Sequence, residues 1–133
     1  MSIENSDFLS FAEEILKPSC DEVFIRSAAS RAYYCIFHQI SSIVGNIPKL
    51  DSDGNKINAG VHLCLIKYLE GNAYQDLSLD KKTLCKLARS MKWTKQVRED
   101  SDYYLNKNIT LLKAKQVITE AHNVVNLVSG LKK

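Results

Sequence analysis

Between Asp21 and Val44 the apolar residues Ile25, Ala28, Ala29, Ala32, Ile36, Phe37, Ile40 and Ile43 recur at three- and four-residue steps. That spacing is the signature of one face of a long helix, and no sheet can accommodate it. Its small members, the alanines, allow a neighbouring helix to come close. Five glycines and two prolines in 133 residues leave few places for tight turns, which again favours long helices over many short strands.

The same periodicity extends along the chain. Asn5 or Ser6 caps a first helix that carries Phe8, Phe11, Ala12 and Ile15 on one face and runs to Lys17, where Pro18 stops it. Asp21 caps the second helix, which Gly45 and Pro48 end. Leu50 to Asn58 is a polar loop. A third helix spans roughly Ala59 to Glu70, with Val61, Leu65, Ile66 and Leu69 apolar and Gly71-Asn72 as its stop. Ser78 is the expected cap of a fourth helix from Leu79 to about Leu105, broken at Asn106-Lys107-Asn108. Thr110 caps the last, which carries Ala114, Val117, Ile118, Ala121, Val125 and Val128 and runs to Ser129 with Gly130 just beyond. The expected fold is all-α, one domain over residues 1–133 forming an up-down bundle of four to five helices.

Composition narrows the function classes. An apolar fraction of 45% and a charged fraction of 25% are ordinary for a folded domain. The net charge of +3 permits contact with a polyanion without demanding it. Cys20, Cys35, Cys64 and Cys85 lie far apart with no CxxC pair, and free Cys in apolar helical stretches is a small buried hydrophobe. A reduced, cytoplasmic protein is expected. MSIENSDF has neither a basic n-region nor an apolar h-region, so no signal peptide is expected, and no apolar run is long enough for a membrane span.

Common catalytic motifs are missing: there is no glycine-rich phosphate loop, no G-x-S-x-G and no H-E-x-x-H. Asp51-Ser52-Asp53-Gly54-Asn55 has the wrong acid-to-glycine spacing for a calcium loop, and His62 stands where a bidentate Glu belongs, so it is a turn. Cys35 and His38 share a helix face, but His62 and Cys64 point about 200° apart. Neither a metal nor a cofactor is expected.

The second helix carries the chemistry. Arg31 sits among apolar and aromatic neighbours, and His38 follows seven residues later, close to two turns, so both emerge on one side displaced by about 20°. Tyr34 and Cys35 lie between them. A guanidinium stabilises charge growing on phosphate oxygens, and an imidazole moves a proton to or from ribose and leaving oxygens near neutral pH. The bland alternative is that Arg31 pairs with a buried acid such as Asp102 and His38 is a satisfied core histidine. A second feature is the run Lys81, Lys82, Lys86, Arg89, Lys92 and Lys95, free of acids until Glu99 and holding Trp93. It is either a solvated helix face or a phosphate-facing strip in which Lys86, Arg89, Lys92 and Trp93, with Tyr34, would contact RNA.

Arg31-Ala32-Tyr33-Tyr34-x-x-Phe37-His38, preceded by Ala-Ser, resembles the signature second helix of the HEPN family. Arg98-Glu99-Asp100-Ser101-Asp102-Tyr103 resembles that family's Arg-x-x-Ala-Asp-Tyr stretch, with Ser101 in place of the small Ala, and an Ala-rich final helix follows. The resemblance covers about residues 5 to 130. It implies a helical bundle that dimerises and serves in toxin–antitoxin pairs, antiviral (phage) defence or RNA processing. Catalytic HEPN proteins carry Arg, four to six residues, then His, which Arg31 and His38 match at the upper limit. The expected function is therefore a metal-independent endoribonuclease acting as a homodimer on RNA. The alternative is a non-catalytic HEPN module that binds a nucleotidyltransferase partner, a nucleotide or RNA, or joins a defence complex. In it Arg98, Asp102 and Tyr103 form a structural network with Arg31.

Overall fold

The computed structural model describes residues 5–16, 21–50, 53–57 and 60–131. They form helices α1 (Asn5–Ile15), α2 (Glu22–Val44), α3 (Val61–Glu70), α4 (Ala73–Asp76), α5 (Lys81–Tyr103) and α6 (Leu111–Leu131). Among the described residues there is no β-strand, only one antiparallel bridge between Leu50 and Lys56 in the loop before α3. The fold is all-helical, as the apolar spacing requires. Six helices stand where four to five were expected, because the single turn α4 is too short to show a period.

α2 is the central element and lies against α1, α5 and α6. Ala28, Ala29 and Ala32 of α2 and Ala114 and Ala121 of α6 are fully buried. Side chains this small let two backbones approach closely, and the larger Tyr33, Ile36, Ile40, Leu65, Leu84, Leu87, Met91, Val117 and Val124 fill the remaining space in one hydrophobic cluster. No helix among the described residues is long and apolar enough to cross a membrane. Cys35 and Cys64 are buried thiols as expected, Cys85 is only half-buried, and Cys20 lies outside the described residues.

The helix ends show which local signals acted. Asp21 holds the N-cap of α2 in extended backbone, and Gly45 closes it with φ 77°, its N–H donating to the Ser41 carbonyl. Thr110 caps α6 by accepting from the Lys113 N–H at 3.1 Å. Ser78 does not cap α5. It takes a positive φ of 54° in the turn, and Asp80 is the cap, its carboxylate accepting from the Thr83 N–H at 3.0 Å and the Thr83 hydroxyl at 2.7 Å. A carboxylate beside the positive helix end outcompetes a hydroxyl two residues earlier. Thr83 in turn holds the Asp80 carboxyl below its ordinary range. Gly130 does not stop α6, which continues to Leu131. The expected stop of α1 at Lys17-Pro18 and the start of α3 at Ala59 lie outside the described residues.

Candidate functional site

The buried arginine of α2 is Arg26, not Arg31. Arg26 is 8% exposed, and its guanidinium lies across the C-terminal end of α5. It donates to the carbonyls of Asp100 at 2.8 Å and Ser101 at 3.0 Å, and to that of Lys107 in the following loop. Its Nε is 3.4 Å from Glu22, which also accepts from the Ile109 N–H. The last carbonyls of a helix have no partner within it, and a guanidinium with five N–H groups satisfies several at once. The spacing Arg26, Ala29, Tyr33, Ile36, Ile40 places Arg26 on the buried stripe, a signal that was present in the sequence.

Arg31 falls off that stripe. It is exposed and flanks a hollow with Asp7, Phe8 and Phe11 of α1. Asp102 is occupied elsewhere: Oδ2 lies 3.2 Å from Nε of Arg98 and accepts from the Ser30 hydroxyl at 3.1 Å. Arg31 does not pair with Asp102, whose ion-pair partner is Arg98, four residues earlier on α5.

Arg98 is 14% exposed and binds α5 to α2. Its Nη2 donates to the Tyr34 hydroxyl at 2.7 Å, and its carbon centre stands 5.3 Å from the Tyr34 ring and 5.4 Å from that of Tyr103. Its buried Nε has no well-aligned acceptor, the Asp102 oxygen lying off the N–H line. The grouping of Arg98, Asp102 and Tyr103 is present, joined by Ser30 and Tyr34, and without Arg31.

From Tyr34 a closed circuit of rings runs through three helices. Phe8 lies 6.2 Å from Tyr34 and stacks on His38 at 5.3 Å. Phe37 meets His38 edge-on at 5.3 Å and stacks on His62 at 4.1 Å. His62 stacks on Tyr33 at 5.5 Å, and Tyr33 returns to Tyr34 at 6.0 Å. The sequence pattern supplied His38 and Tyr34. It gave no hint of His62, which comes from α3 and is hydrogen-bonded through Nδ1 to the Tyr33 hydroxyl at 2.5 Å. Burial first, then the charges of Arg98 and Lys95, press His62 down to about 4, so it is neutral at pH 7. Burial likewise raises the Tyr33 hydroxyl far above its ordinary value. A neutral imidazole against a neutral phenol is a structural pair that accepts or passes no proton near pH 7.

His38 is the imidazole that lies on the same edge as Arg31. It is half-buried, held by the rings of Phe8, Tyr34 and Phe37, and shares Phe8 as a neighbour with Arg31. Arg31, Tyr34 and His38 follow one line along α2, walled by Phe8 of α1 and by Arg98 and Tyr103 of α5. Two cations, aromatic faces and one imidazole can bind a phosphate next to a base and move a proton. Among the described residues no three His, Cys, Asp or Glu side chains gather closely enough to hold a metal ion.

The basic run of α5 does not act as one strip. Lys92 leaves it, pairing at 2.5 Å with Glu70 of α3, and Lys95 pairs with Glu99. Lys86, Arg89 and Trp93 do share one groove, on the α6 side. Lys92 points elsewhere because residues three and six beyond Arg89 and Lys86 are rotated off the line that Trp93 continues. Tyr34 belongs to the α2 edge and not to this groove. No protein-family model matches the chain, and no curated protein or solved structure is measurably similar to it.

Proposed function

We propose that the chain is a HEPN-like protein that cleaves RNA without a metal ion, as a homodimer, with Arg31 and His38 as the reacting pair. The observation that carries the proposal is the shared edge. Arg31 is exposed and His38 half-exposed on one line of α2, and neither is sealed in the core. In the reaction the ribose 2′-hydroxyl gives its proton to an imidazole as its oxygen attacks phosphorus. The P–O5′ bond breaks, and the 5′-oxygen takes a proton from a second imidazole, leaving a 2′,3′-cyclic phosphate. One edge offers one imidazole, and two edges across a two-fold axis offer both base and acid. Arg31 stabilises the charge on the non-bridging oxygens, and Tyr34 stacks on a flanking base. A toxin–antitoxin or phage-defence setting fits such an activity.

The test is incubation of the purified protein with RNA in EDTA. Cleavage is expected, falling at least ~100-fold in His38→Ala and in Arg31→Ala, while both variants stay folded. Equal cleavage by all three, or none by any, removes the proposal.

One observation favours a second function, a non-catalytic module that docks a protein such as a nucleotidyltransferase. Val23 and Phe24 at the start of α2 and Tyr103, Tyr104 and Leu105 at the end of α5 are exposed large apolar residues, Leu105 being 76% exposed. Arg26 brings those two ends together. In that case Leu105→Asp would abolish co-purification of the partner and His38→Ala would not.

A further inference from the structure

The groove between α5 and α6 lies apart from the α2 edge. It has a pattern of charge that neither helix shows alone. Along α5, Lys86, Arg89, Ser90, Trp93, Gln96 and Val97 face it, a line of about 17 Å at the rise of a helix. Opposite, α6 presents Lys113, Lys115, Gln116, Thr119, Asn123 and Asn126. The groove is shallow and open, with hollows of 600 Å³ on one side of Trp93 and 520 Å³ on the other, volumes in the ~300–1,000 Å³ range of sites that hold small ligands.

Lys107 at the open end of the groove pairs with Asp100 at 3.1 Å, and the other cations of this region fall into two sets. Lys92 and Lys95, which face away, are paired with Glu70 and Glu99. Lys86 and Arg89 at one end, and Lys113 and Lys115 at the other, form no ion pair among the described residues. The one acid in the middle, Glu120, is engaged by the Ser90 hydroxyl at 2.5 Å. Trp93 stands between the two cationic ends, 36% exposed and common to both cavities.

The geometry points to this α5–α6 groove as a binding site for a single-stranded nucleic acid, with one base stacked on Trp93 and phosphates held by Lys86, Arg89, Lys113 and Lys115. An aromatic platform flanked by cations follows the alternation of base and phosphate along a strand, and amides such as Gln116 and Asn123 can both donate to and accept from base edges. A duplex hides its base faces and has no use for a tryptophan in a groove. An acidic peptide would take the cations but leaves the ring without a partner of matching shape.

Trp93 is the sole tryptophan of the chain, so its fluorescence reports occupancy directly. The probe is a single-stranded 2′-O-methyl RNA of ~10 nucleotides, inside the usual size of such sites. Lacking a free 2′-hydroxyl it cannot be cleaved, so binding here is independent of His38, and either activity can fail without the other. Binding is expected to quench Trp93. Four phosphate contacts on a single strand set a slope of log affinity against log salt of about −2.8. Lys86→Gln with Arg89→Gln should weaken binding at least ~10-fold, as should Lys113→Gln with Lys115→Gln, while Lys92→Gln leaves it within ~2-fold. Circular dichroism confirms that each variant is folded. Absence of binding, binding without quenching, indifference to both pairs of substitutions, or equal quenching by an RNA duplex or by polyglutamate overturns the assignment.

Discussion

Two arginines five residues apart on α2 meet opposite fates, and the difference is a matter of angle. Arg26 lies on the buried stripe and finds the orphan carbonyls of α5. Arg31 is turned away from that stripe and stays in solvent. Arg26→Ala should therefore cost about 3 kcal/mol in a denaturant titration, since it strands the buried Ser101 carbonyl and part-buried carbonyls around it and leaves the space of a large side chain. Arg31→Ala should change the same titration by less than ~0.5 kcal/mol. His62 gives the pH response. Its folded pKa of about 4 lies below the ordinary 6.5, so the unfolded chain binds more protons between those values. Stability is full above pH 6.5 and declines as the pH falls toward 4. The loss should be about 2 kcal/mol, reduced from ~3 because the ring is only half-buried. His62→Phe should flatten that part of the stability profile; an unchanged slope would show that another group titrates there.

At the scale of elements, the chain announces its helices plainly and its connections poorly. α6 begins after Thr110 because apolar spacing and a capping hydroxyl agree there, whereas Asp21 takes the N-cap position of α2 in extended backbone without a side-chain cap hydrogen bond. α5 begins two residues later than Ser78 suggests, because two candidate caps compete and the carboxylate of Asp80 wins by accepting two bonds. α4 was illegible: a single turn between Gly71 and Ser78 carries no period. Gly45 closes α2 with φ 77° and ψ −116°, a region that side chains avoid, and nothing lies within 4 Å of where its Cβ would be. Gly45→Ala should therefore cost about 2 kcal/mol from backbone strain alone, read as a lowered midpoint of thermal unfolding.

At the scale of the molecule, the candidate site was half legible. Residues on one helix could be placed together by counting, as Arg31, Tyr34 and His38 were. Groups from different helices could not, so the ring circuit through Phe8 and His62, the Arg98 bond to Tyr34 and the α6 wall opposite Trp93 needed the tertiary arrangement. That arrangement depends on how closely α2 nests among its neighbours. Ala32 is fully buried, so Ala32→Leu should overpack the centre and cost about 3 kcal/mol, with a lowered midpoint of thermal unfolding as the measurement. The Arg26 contact reaches further than its own stability. The carbonyls it gathers, from Asp100 to Lys107, belong to the elbow that turns α5 into α6, and Asp100 and Lys107 sit at the open end of the Trp93 groove. One guanidinium rooted in a third helix thus ties the last turn of one groove wall to the bend that leads into the other.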